Sequence, residues 1–534
     1  MVSAVSVPAW ACRRAAVQPA APIPAPAAPA ATLPQAPPLR PEALARFVDP
    51  LPIPPVLKPI GTRPHPHATA RQIPFYRALM TEAAVQVHRD VPLTRAWTYE
   101  GSFPGPTIVA ESGHPILVEW INALPVQHFL PIDHTLSGAG ADRPAVRAVV
   151  HVHGGRVPPE SDGYPEDWIT PGKALTVLYP NEQDAATLWY HDHAMGIARL
   201  NQYAGLLGVY LVRDSHEAAL GLPDGRHELP LVICDRWFGQ DGQLRYSASQ
   251  DPAAPWVSEI FADAHLVNGK LFPYLEVEPR RYRLRILNGS NARFYDLSFD
   301  PAVVAHQIGS DQGLLAAPLE LSTLTLAPGE RADVVVDFSD AAGREVVLKS
   351  QSSQLMQFRV AAGQPAREPP LPRRLRDIPR PRPEAAVATR TLTLNAQHEP
   401  DRHRVLMLLN GKRWRDPVTE RPRLGTTEIW NLVNLTRDTH PIHLHLVRFR
   451  VLDRQAFDAD ELLTSGKLLL RGRPVPPAPN EAGWKDTVRA EAGLMTRILI
   501  QFDGYAGRYV WNCDVLEHAA NEMMRPFEVV GTPT

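Results

Sequence analysis

The sequence predicts an all-β chain built from several Greek-key sandwiches in series. Three observations predict it. Proline (56) and glycine (33) punctuate the chain throughout. The segments between them are short and β-rich, as in PILVEWINAL, GLLGVYLVRD, RYRLRILNGS, RADVVVDFS and TRILIQF, and short strands between regularly spaced turn signals argue against alternating helix and strand. Finally, 534 residues exceed what one hydrophobic core accommodates, so two to four domains are expected.

Taken in order, residues 1–60 are expected to be a Pro/Ala-rich arm held extended and disordered, because prolines interrupt any apolar helical stretch after Arg13-Arg14. That arginine pair also has the look of a worn twin-arginine export signal. A first sandwich is expected over 61–215, ended by the charged, turn-forming run DSHEAALGLPDGRHELP. A second is expected over 225–365. A Pro/Arg-rich linker, 366–388, follows, too dense in proline for strand or helix. The third sandwich takes 389–534.

Charge points to no polyanionic partner. Fifty-five basic residues against 57 acidic ones leave a net charge of −2, which indicates neither nucleic acid nor an anionic membrane. No apolar run approaches the roughly 18 residues of a membrane helix. Cys12, Cys234 and Cys513 allow one disulfide at most, so the redox compartment stays open.

The histidines carry the chemistry. HVHGG, WYHDHAMG and HPIHLHL each hold a His-x-His pair: 151/153, 191/193 and 443/445. In a strand, residues two apart share a face, so each pair delivers two imidazoles to one spot. One pair is weak evidence, since two histidines on a solvated face are common; three are not. Such sites suit zinc, copper, iron or nickel. The closing run, WNCDVLEHAANEMM, decides among them: His440, Cys513, His518 and Met523 offer two imidazoles, a thiolate and a thioether, the ligands of a blue-copper electron-transfer site. A lone strand cysteine is more often a small buried apolar residue, but the equal five-residue steps to His518 and Met523 argue against that here. Residues 512 and 514 face away from 513 on a strand, so a metal on Cys513 is joined by a few backbone bonds to whatever lies beside them.

FPGPTIVAESG, VVHVHGG, SDGYPEDW, LWYHDHAMG, RLNQYAGL, LVNGKLFPYLEVEP, THPIHLHLVRFRVLDR, GWKDTV and MMRPFEV resemble the three-domain multicopper oxidases, specifically the spore-coat laccase, bilirubin oxidase and phenoxazinone synthase group. The resemblance runs from about residue 70 to 530. It implies three cupredoxin domains and four coppers: a type 1 copper on His440, Cys513, His518 and Met523, a type 2 copper on His151 and His443, and a type 3 pair on His153, His191, His193 and His445. It implies dioxygen as acceptor and a phenolic, aminophenolic or bilirubin-like tetrapyrrole reductant. The family places two more histidines around the cysteine. Here they are Asn512 and Asp514, and the acid after the type 1 histidine is Ala519. Asp514 offers a carboxylate oxygen, a harder donor than copper prefers, and Asn512 a neutral amide. Asp162 matches the remaining acid thought to help proton delivery.

The expectation is therefore a laccase-like oxidase with an impaired trinuclear centre. Its rivals are a type 1 electron-transfer protein with little oxidase activity and a copper-free scaffold, which would have no use for Cys513, His518 and Met523 together. Copper detoxification is set aside, because eight methionines form no methionine-rich insert. Asp192 is expected to serve a structural hydrogen bond, the arginine run 373–382 to be solvated linker, and His65, His67 and His88 to be ordinary surface or loop histidines.

Overall fold

The computed structural model describes residues 36–246, 255–399 and 404–531. Strand pairing sets out three pairs of antiparallel-rich sheets, each pair closing on its own apolar cluster. The first combines a five-stranded sheet (Gly61–His65, Ala68–Val85, Thr94–Tyr99, Ile116–Asn122, Ala174–Tyr179) with a four-stranded one (Gly105–Glu111, Val150–His153, Ala186–Asp192, Leu207–Arg213). Between them lie Trp97, Tyr99, Trp120 and Tyr190, all fully buried. The second pair has eight and five strands, the third six and four.

One topological feature repeats three times. Ala68–Val85 runs parallel to Ile116–Asn122, Glu228–Phe238 to Arg281–Asn288, and Ala388–Glu399 to Thr426–Asn434. A parallel neighbour cannot be reached by a tight hairpin, so each unit crosses from one sheet to the other, as a Greek key does. The fold is all-β and cupredoxin-like.

Residues 37–60, expected as part of an extended, disordered arm, instead lie along the body. Leu39 N–H donates to Phe238 O (2.9 Å), Leu51 N–H to Tyr274 O (2.7 Å) and Leu57 N–H to Thr107 O (2.9 Å), while Leu39, Leu44 and Phe47 cover an apolar cluster. Prolines leave this stretch extended, and an extended chain with apolar side chains can add backbone bonds along an existing surface. The Arg13-Arg14 and Cys12 expectations fall in 1–35, outside the described residues. The 366–388 segment is extended but not wholly solvated: Leu375 is buried and Arg376 bonds Asp184 (2.9 Å) and Asp214 (2.5 Å). His88, expected at the surface or in a loop, is buried, with Nε2 2.8 Å from Ala45 O. No helix among the described residues is long and apolar enough to cross a membrane.

Candidate metal centres

Strand Gly507–Cys513 is the element on which both sites depend. It pairs with His440–Leu444 so that Ile442 stands opposite Cys513 and His443 opposite Asn512. Cross-strand partners share a face. Cys513 and Ile442 therefore point into the third sandwich's core, while His443 and Asn512 point out of it.

On the core side, Cys513 Sγ lies 3.6 Å from His440 Nδ1 and 3.8 Å from His518 Nδ1, and the two nitrogens lie 3.2 Å apart. A triangle with those sides has a circumradius of about 2 Å, which matches imidazole and thiolate bonds to a divalent metal of roughly 2.0–2.3 Å. All three residues are fully buried. Burial alone lowers the His440 pKa to about 4, and burial followed by His440 itself holds His518 well below its ordinary range. Neutral imidazoles keep a lone pair for a metal. Burial likewise pushes the Cys513 thiol far up, so a thiolate there needs a cation beside it. His440 Nε2 lies in hydrogen-bond contact with Thr436 Oγ1 (2.6 Å), which fixes the ring with Nδ1 toward Cys513. Met523, fully buried in the same cluster, is tied to the strand by Cys513 N–H donating to its carbonyl (3.0 Å).

On the outer side, six imidazoles from two sandwiches meet. Val150–His153 alternates valines into the first core with His151 and His153 outward, and it pairs His151 directly with His191. His151 stacks on His445 with ring centroids 3.7 Å apart, and His153 on His443 at 3.5 Å. Two triads form, His151/His153/His191 and His151/His443/His445, with donor atoms within 4.8 Å of one another. Each of the six rings keeps one buried nitrogen without a partner: Nε2 of 151, 191, 443 and 445, and Nδ1 of 153 and 193. In five of them the other nitrogen is fixed. His151 bonds Asp162 O (2.6 Å), His153 bonds Asp486 Oδ1 (3.2 Å), His191 bonds Asp192 O (3.0 Å), His443 bonds Asp486 O (2.9 Å) and His445 bonds Asp162 Oδ2 (2.8 Å). An N–H given to an acceptor leaves the opposite nitrogen as a lone pair, the usual preparation of a metal-ligating imidazole. Burial, then the neighbouring rings, keeps His151, His191, His193 and His443 well below their ordinary pKa.

The substituted edge differs. Asn512 Nδ2 donates to Asp514 Oδ1 (3.1 Å), and Asp514 Oδ2 lies 3.4 Å from Thr487 Oγ1 and 4.0 Å from His153 Nε2. Asp514 thus reaches its strand neighbours and the already bonded nitrogen of His153. Burial, then the nearby Asp486, raises its carboxyl pKa far above the usual range. Beside it lies a 20 Å³ cavity lined by His191, His193, Asn512, Asp514 and Ala519, enough for about one water. Short side chains leave that space.

Asp192 behaves as expected, accepting from Val149 N–H, Ala194 N–H and Asn201 Nδ2. Three residues escaped the histidine count: Thr436 on His440, Thr487 beside His153, and Asp486, which touches both His153 and His443. Asp486 sits in GWKDTV, but no periodicity there says that its side chain turns toward histidines forty residues away and in another sandwich. At the other end, Glu259 Oε1 lies 3.8 Å from His518 Nε2, with Asp438 close by.

Sequence models of the multicopper oxidase family match residues 382–532, 145–217 and 229–354. A laccase of Bacillus subtilis is 45% identical over 514 residues, which is 91% of this chain and 99% of that protein. A Haloferax volcanii laccase is 39% identical over 91% of this chain and 85% of its own. Among solved structures, a laccase from Pediococcus acidilactici superposes with a TM-score of 0.74 at 28% identity, over 91% of this chain and 95% of that one. The chain belongs to the multicopper oxidase family. It is a copper-dependent oxidoreductase that passes electrons from an organic reductant to oxygen.

Proposed function

We propose that this is a laccase-type oxidase whose electron-accepting site is complete and whose oxygen site works with an incomplete set of ligands. The three sandwiches are taken as domains over 61–215, 225–365 and 389–534. His440, Cys513, His518 and Met523 hold type 1 copper, and His151 and His443 hold type 2. His153, His191, His193 and His445 hold the type 3 pair, with Asp514 offering a carboxylate oxygen near a lost imidazole position. Bound copper supplies a one-electron acceptor at Cys513 and an oxygen-reducing centre among the six imidazoles.

The chain's own residues do the rest. Small aromatic reductants, phenols, aminophenols or tetrapyrroles of the bilirubin type, would dock beside the partly exposed Glu259, which lies 3.8 Å from the buried His518. Glu259, whose pKa is raised by burial and by Asp438, stands there to accept the proton that such a reductant sheds with its electron. Asp162 contacts both His151 and His445, and its Oδ1, 3.5 Å from His151 Nδ1, would pass protons toward the imidazole cluster.

The observation that carries this reading is the Cys513–His440–His518 triangle of metal-bonding size, one peptide away from a buried six-imidazole pocket. Copper reconstitution tests it. A blue thiolate-to-copper band together with measurable but slow oxygen uptake on an aminophenol is expected. A colourless copper-loaded protein sinks the assignment.

A further inference from the structure

The second sandwich contributes none of the ligands assigned above, yet one of its side chains ends at the oxygen site. Arg331 lies on strand Arg331–Asp337, and its guanidinium is fully buried. All five of its side-chain N–H groups have a direction to go. Nε donates to Thr187 O (2.9 Å), Nη1 to Gly329 O (3.1 Å) and Asp486 Oδ1 (2.7 Å), and Nη2 to Asp311 O (3.0 Å) and Asp486 Oδ2 (2.5 Å). Thr187 belongs to the first sandwich, Gly329 and Asp311 to the second, and Asp486 to the third. One planar fork therefore ties three units together at one point, through the bidentate geometry that only arginine offers.

What it ties is specific. Asp486 Oδ1 takes His153 Nε2–H (3.2 Å), and the Asp486 carbonyl takes His443 Nδ1–H (2.9 Å). Those two imidazoles, one from each flanking sandwich, stack at 3.5 Å with planes 16° apart. Their unpartnered nitrogens are His153 Nδ1 and His443 Nε2. The position of Asp486 thus sets where both lone pairs point. Gln312 Nε2 adds a bond to Asp486 Oδ2 (2.6 Å), also from the second sandwich. Lys485 continues the buried charge chain, reaching Asp311 (2.9 Å) and Glu330 (3.0 Å).

We propose that Arg331 is a positioning residue for the oxygen site: by clamping Asp486 it aims His153 and His443, so that the ligand-free second sandwich controls copper retention between the other two. The proposal rests on the assignment of His153 and His443 as copper ligands. With two flanking imidazoles already replaced, the orientation of those that remain matters more, and removing an outer partner of a metal-ligating histidine typically costs 10–100-fold in affinity.

The test uses the full-length copper-loaded protein and the variants Arg331→Lys and Asp486→Asn, with Arg454→Gln as a control in the peripheral part of the same ion network, 2.7 Å from Glu481. Copper loss to a chelator and the type 2 electron paramagnetic resonance signal are read beside the type 1 absorbance band. The expected result is an order of magnitude or more in loss of copper from the oxygen site in Arg331→Lys and Asp486→Asn, with an altered type 2 hyperfine pattern in Arg331→Lys, where the clamp that places the Asp486 carbonyl against His443 is loosened. The blue band should be unchanged in both, and both signals unchanged in Arg454→Gln. Unchanged type 2 signal and retention in Arg331→Lys would overturn the proposal, as would equal losses in the control. Failure of both site variants to fold would make the clamp merely structural, and overturns it too. Should the wild type itself show no type 2 signal, the ligand assignment fails, an outcome distinct from failure of the clamp.

Discussion

Asn512, Cys513 and Asp514 are consecutive residues of one polypeptide segment, but they serve two regions with different fates. Inward, Cys513 meets His440 and His518 at distances that a single metal ion spans. Outward, Asn512 and Asp514 bond to each other beside a water-sized space. The alternation of a β-strand makes this possible: neighbouring side chains face opposite ways, so one face can change while the other keeps its packing. On the proposed assignment, an electron-accepting site and an oxygen site sit on opposite faces of three residues over a shared core.

The largest effect should come from collapsing the intact side. Cys513→Ser should abolish the thiolate band and bring oxygen uptake to background, read by absorbance and an oxygen electrode; retained oxidase activity would mean that electrons enter elsewhere. Next comes repair of the altered side. Asn512→His with Asp514→His should raise oxygen uptake by roughly 10–100-fold and leave the blue band alone, and no gain would show that the two regions do not differ in the way described. Smaller is the expected effect of Asp162→Asn. That change keeps the hydrogen-bond geometry to His445 but removes the carboxylate, and should slow steady-state oxygen uptake about 10-fold with unchanged thiolate absorbance.

The smallest contrast is expected with acid, which should touch both regions alike. His440 and His153 have folded pKa values lowered to about 4, below the unfolded value of about 6.5. The unfolded chain therefore binds more protons between those values, and stability falls as pH falls through that window. The copper-free protein should lose thermal stability steadily from pH 6.5 to 4. A flat melting temperature across that range would contradict the buried, neutral state of these rings.

The sequence made the architecture legible and picked out histidines and a cysteine that the fold brings together, because both rest on short-range regularities. Proline and glycine punctuation marks the strands, and His-x-His reads directly as one strand face. Residues joined through tertiary contact were not legible. Asp486 and Arg331 lie 155 positions apart, and neither belongs to a periodic pattern. Leu39 and Phe47 looked like part of a disordered arm because composition cannot say that an extended, proline-rich chain has a surface to run along. For Asp514 the sequence offered an oxygen donor; its turn toward Asn512 and Thr487 follows from partners that only the folded strand pairing brings near.

The most direct test of the central contrast is the number of copper ions per folded chain after reconstitution and removal of loose metal. A full type 1 site beside an under-liganded oxygen pocket predicts fewer than the family's four, with the blue band at full strength. Four tightly held coppers in the unaltered protein would contradict it.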